Sequence, residues 1–298
     1  MSYTAMVVEL IIGGLAIGSV YSLVALAHSL IWSGVRVVNF AQGEVFMAAA
    51  FTALTVLIGG RLLPAQPFAI SVLAGVAVAS FLGLLIYLAI MRPTQKKGFL
   101  YVIAGCVGAS ILLQNSAILI WGSTGKQFPA VFPMAPVKLG GILVVPQDMW
   151  IMGISLAAMA VLYLFLSKTR LGTAMRAAAQ NRSAAGLMGI SHRLTDALTI
   201  AVASALAGLA GILLSPKFYV TPQMGTIISS KGFTAAVLGG FGNIPGAVVG
   251  GLLLGVLENL SAGLVSSAYK DAIAFVVMIA ILMFRPGGLL GSRGGRQA

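Results

Sequence analysis

Charged residues are scarce in this sequence: lysine, arginine, aspartate and glutamate together make up 8% of its 298 residues. A soluble domain carries about 25% charged residues. Hydrophobic residues make up 59% of the chain, and the mean hydropathy is +1.03. Such a chain cannot cover its surface with groups that water solvates. The composition therefore excludes a soluble globular protein and indicates an integral membrane protein.

Cysteine and histidine are nearly absent. The single cysteine, Cys106, lies in an apolar run, which excludes a disulfide framework and a thiolate metal cluster and favours a buried packing residue. The two histidines, His28 and His192, lie at unrelated places in the sequence and do not form a ligand pattern for a metal. We therefore expect this chain to bind no metal ion and no cofactor.

Acidic residues and catalytic motifs are also few. Six acidic residues against 18 basic ones give a net charge of +12. No arginine-rich helix or basic patch interleaved with aromatic residues points to nucleic acid, so we expect no such partner. The sequence contains no GxxxxGKS/T phosphate-binding loop, so ATP chemistry would have to come from another polypeptide. It contains no HExxH or GxSxG motif, which disfavours an intramembrane enzyme.

Apolar runs of about 20 residues recur along the chain, long enough for helices to cross a ~30 Å hydrocarbon layer. Alternating strands of the barrel type are absent, so helices are expected to span the membrane. Clear candidate spans are 6–31, 68–91, 99–121, 149–167, 193–215, 246–263 and 270–284. Two further segments, 38–58 and 226–240, are interrupted by polar residues or glycines. The prediction is an all-α polytopic membrane protein of about eight or nine spans, with discontinuous helices, forming a single transmembrane domain over residues 1–298.

The distribution of lysine and arginine predicts an orientation. If each segment crosses once and the N-terminus lies outside, twelve of the 18 basic residues fall inside, and six, among them Lys231 and Lys270, fall outside. Basic residues concentrate in cytoplasmic loops, so we predict an outside N-terminus and a cytoplasmic C-terminus. The N-terminal stretch lacks the basic region of a cleaved signal peptide and is predicted to be a retained first helix.

Glycine is abundant, with 37 residues, and recurs at four-residue spacing inside candidate spans. Gly14 and Gly18 are one such pair, and Gly251 and Gly255 are another. Small residues at this spacing let helix backbones approach closely in lipid. We predict that these glycines pack helices into a compact bundle.

Segments 38–58 and 226–262 share a pattern and carry the polar residues that are candidates for a substrate pathway. In RVVNFAQGE (36–44) these are Asn39, Gln42 and Glu44; in KGFTAAVLGGFGNIPGAVVGG (231–251) they are Thr234 and Asn243. Irregular backbone at membrane depth is tolerated only where it is buried in protein or lines a watery cavity. In the predicted topology the two segments run in opposite directions, which favours an inverted repeat around a midplane pathway.

Glu44 has two interpretations. A carboxylate at membrane depth costs about 2.5–3.5 kcal/mol on insertion scales and usually faces the interior of a bundle, where it could contact substrate. Alternatively it braces the fold, for instance by pairing with Arg36 at the membrane edge. Normal uptake with reduced assembly in a Glu44→Gln variant would favour the bracing role.

A basic segment, SKTRLGTAMRAAAQNRSAAGLMGISHRLTD (167–196), lies between two apolar spans. Its basic residues place it on the cytoplasmic side. The middle, Thr173 to Met188, is rich in alanine and methionine without proline, and predicts a helix. Small side chains suit docking into a groove of a partner, whereas a helix resting on anionic lipid is the alternative.

The segment TRLGTAMRAAAQNRSAAGLMGI resembles the cytoplasmic coupling region of LivH-type permease subunits, which belong to ATP-binding-cassette (ABC) importers for branched-chain amino acids. VVNFAQGEVFMAAAF, KGFTAAVLGGFGNIPGAVVGGLLLGVLE and SSAYKDAIAFVVMIAILMFRPGGLLG are similar to further motifs of that family, in the same order and at the same spacing. The resemblance extends from Ile12 to Gly291. The loop 122–148, predicted to lie outside, matches no motif of the family.

The resemblance implies a permease that forms half of a translocation pathway across the bacterial inner membrane. The implied partners are a homologous second permease subunit, two cytoplasmic ATP-binding subunits that carry the ATPase activity, and a periplasmic substrate-binding protein, besides membrane lipid. Residues 168–192 would be the coupling region. The residues implied to lie on or beside the helix that meets the ATPases are Arg176, Ala178, Asn181, Ala184, Ala185 and Gly189.

A self-sufficient secondary transporter or channel for a small solute is the alternative function. Such a protein would use the interrupted segments to bind substrate and a coupling ion. The sequence lacks the series of intramembrane carboxylates and histidines that a proton relay needs, which counts against this alternative.

Overall fold

A computed structural model describes residues 3–59, 64–129, 131, 133, 135–139 and 142–291. Three arginines of the charge count, Arg61, Arg293 and Arg296, lie outside the described residues. The helices are α1 (Tyr3–Val35), α2 (Gln42–Ile58), α3 (Phe68–Ile86), α4 (Arg92–Gln95), α5 (Phe99–Trp121), α6 (Pro146–Lys168), α7 (Arg170–Gln180), α8 (Arg182–Leu187), α9 (His192–Leu214), α10 (Met224–Gly239), α11 (Ile244–Leu264) and α12 (Lys270–Phe284). A π-helical turn, Tyr87–Met91, joins α3 to α4, and two short strands, β1 (Val137–Leu139) and β2 (Ile142–Val144), pair antiparallel.

Six helical stretches in the described part of the chain are long and apolar enough to cross a membrane. They are α1, the continuous stretch from α3 to α4, α5, α6, α9 and α11. Three more helices occupy the remaining predicted segments, but α2 has 17 residues, α10 has 16 and α12 has 15. At 1.5 Å per residue such helices reach only about 22–26 Å. The all-α membrane fold is confirmed, whereas the count of eight or nine spans is not.

The chain forms two compact units. The first comprises Met1–Ser29, Ala130–Ala157 and Lys231–Ala298, and the second comprises Leu30–Pro129 and Ala158–Ser230. The single domain over residues 1–298 stays a prediction.

Close packing of small residues builds the first unit. A Cβ atom placed on Gly18 would lie 2.9 Å from the Cα atom of Leu252, and one on Gly14 would lie 2.8 Å from that of Val256. Helices α1 and α11 therefore touch backbone to backbone at the glycine pairs singled out in the sequence. Their packing role is confirmed, and it is the expected way to join helices in lipid.

Helices α2, α3 and α9 form the core of the second unit. Most of α2, including every residue from Gln42 to Phe51, is buried. Small residues keep the helices close: a Cβ atom on Gly75 of α3 would lie 2.8 Å from the carbonyl oxygen of Ala49 and 2.7 Å from Ile212. The beginning of α2, where the polar residues cluster, is thus held inside protein rather than against lipid.

The chain breaks at both interrupted segments, as predicted. Helix α1 ends at Val35, Arg36 has a φ of 60°, and α2 begins only at Gln42. Helix α10 ends at Gly239, and Gly240 and Gly242 have φ values of 111° and 88°. The left-handed conformation of these two glycines interrupts the helix between α10 and α11, because other residues adopt it at a cost. The inverted repeat stays a prediction.

Candidate functional site

Glu44 lies in the first turn of α2 and is only 1% exposed. Its Oε1 atom accepts hydrogen bonds from the hydroxyl of Ser110 in α5, at 3.1 Å, and from the hydroxyl of Thr226 in α10, at 3.0 Å. The amino end of a helix favours a negative charge. The Oε2 atom is buried and has no hydrogen-bond partner among the described residues.

Two glycines allow this carboxylate and its hydroxyl partners to meet. A Cβ atom on Gly43 would lie 2.7 Å from the carbonyl carbon of Gly225 and 2.8 Å from the Cβ atom of Ser229. There is no room for a side chain at Gly43, so the backbones of α2 and α10 are in direct contact in their first turns. This close approach brings Thr226 within hydrogen-bonding distance of Glu44.

Asn39 and Gln42 close the turn that precedes Glu44. The Asn39 side chain accepts from the backbone N–H of Ala41 at 3.0 Å and donates to the side-chain oxygen Oε1 of Gln42 at 3.2 Å. The Gln42 amide nitrogen in turn donates to the backbone carbonyl of Ala203 in α9, at 3.1 Å. Both amides are completely buried. Their hydrogen bonds fix the entry of α2 against α9.

Glu44 and Arg36 do not form the ion pair considered from the sequence. Among the described residues the carboxylate is bonded by two hydroxyls and by no cation. Ser110 and Thr226 were missed by the sequence analysis because a serine or threonine inside an apolar helix carries no local signal of its partner. The three polar residues of the 36–44 segment are therefore brought together with two hydroxyls that the sequence did not indicate.

Thr234 and Asn243 lie in the other compact unit. Thr234 is buried in α10. Asn243 caps α11: its side-chain oxygen accepts from the N–H of Gly246 at 3.2 Å, and its amide nitrogen donates to the carbonyl of Leu290 at 2.6 Å. A capping asparagine satisfies backbone groups at the start of a helix. The five predicted pathway residues thus fall into two sets, three in one unit and two in the other.

An ion cluster in the first unit, centred on the largely buried pair Lys231 and Glu258, was not predicted from the sequence. Lys231 of α10 has a side-chain exposure of 11% and contacts Glu258 of α11 at 2.5 Å and Asp271 of α12 at 2.8 Å. The hydroxyl of Tyr21 in α1 donates a hydrogen bond to Oε2 of Glu258 at 2.8 Å. The ammonium nitrogen of Lys270 lies 3.5 Å from Oε1 of Glu258, the oxygen that Lys231 also contacts. The cluster joins four helices. Lys231 was counted above among the basic residues outside, although segment 226–240 contains it. It lies in α10, where two carboxylates that are distant in the sequence compensate its charge.

The basic segment 168–192 folds as two helices rather than one. Thr169 caps α7 by accepting from the N–H of Gly172 at 3.0 Å, and Asn181 caps α8 by accepting from the N–H of Ala184 at 3.0 Å. Asn181 has extended backbone angles, with φ −149° and ψ 102°. The predicted continuous helix from Thr173 to Met188 is wrong at this residue, because an asparagine side chain that bonds its own backbone competes with helix continuation.

The predicted coupling residues divide between a buried and an exposed face. Ala178 and Ala185 are buried, whereas Arg176, Asn181, Ala184 and Gly189 are exposed. A Cβ atom on Gly172 would lie 2.6 Å from the Cα atom of Leu166, so α7 rests on the end of α6 without an intervening side chain. Two large apolar residues, Leu187 and Met188, are 90% and 83% exposed. They form a small exposed apolar patch at the end of α8.

These features define a polytopic helical membrane protein with buried polar groups at its helix breaks. Over residues 10–282 the chain matches the family described as branched-chain amino acid transport system / permease component, and it belongs to that family. It is therefore a permease component, and the resemblance found in the sequence is confirmed.

Two curated relatives illustrate the family. The chain is 36% identical over 291 residues to the high-affinity branched-chain amino acid transport system permease protein BraD of Pseudomonas aeruginosa, covering 94% of each protein. It is 34% identical over 290 residues to the LivH permease protein of Escherichia coli, covering 93% of each.

One solved structure shares the fold. A chain of PsaBC from Streptococcus pneumoniae in complex with Fab matches with a TM-score of 0.50 and 13% identity, over 95% of this chain and 91% of that one. At this identity the match speaks for the fold alone.

Proposed function

We propose that this chain is a transmembrane permease subunit of an ABC importer in the bacterial inner membrane, and that it forms half of the pathway for branched-chain amino acids or related small solutes. The observation that carries the proposal is the match to BraD, at 36% identity over 94% of the chain. A homologous second permease subunit supplies the other half of the pathway. A periplasmic substrate-binding protein delivers the solute to the outer face.

The energy comes from two cytoplasmic ATP-binding subunits, because the chain itself has no phosphate-binding loop. The surface that meets them is the exposed face of α7 and α8 with Arg176, Asn181, Ala184 and Gly189. Ala178 and Ala185 seat these helices on the rest of the permease. Leu187 and Met188 lie at the end of α8 and supply apolar area for docking. Contact of these two side chains with lipid is the competing explanation.

Glu44 is the residue best placed to contact the solute. Asn39, Gln42 and Asn243 use their side chains to hold helix ends, which suits a bracing role. Glu44 keeps one buried carboxylate oxygen without a protein partner among the described residues. A carboxylate in that state attracts a cationic group, and the ammonium group of an amino acid is such a group. Thr234, which is buried in α10, stays a proposed pathway residue.

Reconstitution in liposomes tests the function. The chain, the second permease subunit, the two ATP-binding subunits and the binding protein are combined, and uptake of labelled leucine is measured with and without ATP. We expect uptake only with ATP and only with all components. Accumulation of leucine against its gradient by this chain alone, without nucleotide, would instead establish a self-sufficient transporter.

A further inference from the structure

Arg182, the first residue of α8, connects three helices. One guanidinium nitrogen donates to a carboxylate oxygen of Asp196 in α9, at 2.6 Å. Another donates to the backbone carbonyl of Gly34, in the last turn of α1, at 3.1 Å. Asp196 is buried, whereas the Arg182 side chain is partly exposed. Arginine suits this place because its planar fork presents several donors in fixed directions.

The carbonyl that Arg182 holds belongs to a helix end. The last carbonyls of a helix have no partner within the helix and carry partial negative charge, so a guanidinium group there is favourable. Gly34 also packs tightly on α9, since a Cβ atom on it would lie 2.9 Å from the Thr199 side chain. The end of α1, the start of α8 and the first two turns of α9 therefore form one contact. We call it the Arg182 bridge: Arg182, Asp196 and Gly34.

The Arg182 bridge lies next to the turn that leads to Glu44. Only Val35 separates Gly34 from Arg36, where the left-handed conformation starts the turn into α2. At the far end of that turn, Gln42 donates to the carbonyl of Ala203 in α9. Asp196 and Ala203 lie about two turns apart on the same face of α9. The segment from Gly34 to Gln42 is thus attached to one face of α9 at both of its ends. Helix α8 is attached at the Gly34 end, through Arg182.

We propose that Arg182 is a positioning residue of transport that converts a displacement of α8 into a movement of the 36–41 turn and of the polar cluster Asn39, Gln42 and Glu44. This inference rests on the proposed function, in which ATP-binding subunits push on α7 and α8. The physical basis is that the Arg182 bridge joins the surface that would receive the push to the backbone that carries Glu44, through charge-assisted hydrogen bonds rather than apolar contacts that can slide.

The test measures solute imported per ATP hydrolysed in the complete reconstituted transporter, normalised to the amount of assembled complex. Arg182→Gln removes the positive charge and the guanidinium group, and Asp196→Asn keeps a hydrogen-bond acceptor without the negative charge. The double variant tests whether the two residues act as one unit. Arg182→Lys is the conservative variant. Arg193→Gln is the matched control, because Arg193 is an exposed arginine of the same segment and makes no ion pair within the described residues.

We expect Arg182→Gln to keep hydrolysing ATP while uptake per ATP falls by about fivefold or more, in the range of typical coupling between sites. Asp196→Asn should also lower uptake per ATP, and the double variant should be no worse than the worse single variant. Arg182→Lys should keep more uptake per ATP than Arg182→Gln does. Arg193→Gln should match the wild type. Non-additivity of the pair is the signature of direct interaction.

Two results would overturn the proposal while leaving the proposed function intact. One is an unchanged ratio of uptake to hydrolysis in both single variants. The other is a loss of assembled complex, ATP hydrolysis and uptake in equal proportion, which would make the bridge a purely structural contact. If the wild-type assembly imports no solute with ATP, the proposed function fails and this inference fails with it.

Discussion

Single residues decide how closely the helices around Glu44 approach. Gly43 and Gly225 face each other without side chains, and the hydroxyls of Ser110 and Thr226 reach the carboxylate as a result. These contacts join positions 66 and 182 residues apart in the sequence. Substitutions at these positions are therefore expected to alter contacts between helices that are distant in the sequence.

Gly43→Ala is expected to destabilise the permease by about 1–3 kcal/mol, the usual effect of forcing an extra methyl group into a packed interior. The added Cβ atom would lie 2.7 Å from the carbonyl carbon of Gly225, and backbone cannot rotate away. The thermal midpoint of the purified protein in detergent measures the effect. Gly108→Ala is the matched control, because a Cβ atom there meets nothing within 4 Å. Equal midpoints for the two variants would show that the close approach is unimportant.

Glu44→Gln should leave assembly normal and lower leucine uptake by about tenfold or more, since a hydrogen bond to a charged group contributes about 1.5–3 kcal/mol. The amide keeps the size of the side chain but not the charge that would attract an ammonium group. Glu9→Gln serves as the control, because Glu9 accepts from the backbone N–H of Leu143 and an amide oxygen can do the same. Normal uptake with reduced assembly would assign Glu44 a bracing role instead.

Helices and their ends show what could be predicted from the sequence and what could not. The interruptions at 36–41 and 240–243 were predictable because Asn, Gln, Glu and clustered Gly stand out in apolar sequence. The division of 168–192 into α7 and α8 was missed, because alanine-rich composition outweighed one capping asparagine. The ion pairs of Lys231 were missed because its partners Glu258 and Asp271 lie 27 residues or more away along the chain. Local patterns predicted helices and their breaks, whereas the long-range polar contacts required the three-dimensional structure.

Asn181→Ala should weaken the attachment of α8 by removing its cap, at a cost of about 1 kcal/mol. The expected result is weaker association of the permease with the proposed ATP-binding subunits, measured as the amount of those subunits retained on the purified permease. Asn181→Ser, which restores a capping oxygen, should recover the retention. If Asn181→Ala retains the subunits as the wild type does, the cap has no part in docking.

Glu258→Gln should destabilise the first compact unit by about 3–5 kcal/mol, because it leaves a buried lysine without its main partner. The midpoint of chemical or thermal unfolding in detergent measures this loss. A double variant, Lys231→Met with Glu258→Gln, removes both charges and should recover a large part of the stability. Equal stability of Glu258→Gln and wild type would mean that Asp271 alone satisfies Lys231.

The predicted orientation of the molecule rests on where its basic residues lie. Lys231, one of the six basic residues counted outside, lies in α10. The outside N-terminus and the cytoplasmic C-terminus stay a prediction. In a Cys106→Ala background, a cysteine at Arg193 should react with a membrane-impermeant maleimide only from the cytoplasmic side. A cysteine at Tyr219, an exposed residue between α9 and α10, should react from outside. The reverse pattern would invert the assignment.

The ion cluster of Lys231 and Glu258 also bears on how the protein is made. A lone lysine or carboxylate entering the bilayer costs about 2.5–3.5 kcal/mol on translocon scales, and α10 has only 16 residues to offset that cost. Helices α10 and α11 follow each other with a break of four residues, Gly240 to Asn243, between them. If the two helices enter the bilayer together as a hairpin, Lys231 of α10 and Glu258 of α11 neutralise each other during insertion. Biogenesis of this part of the permease should therefore proceed by pairwise insertion, and a ribosome stalled after α10 should leave that helix outside the lipid.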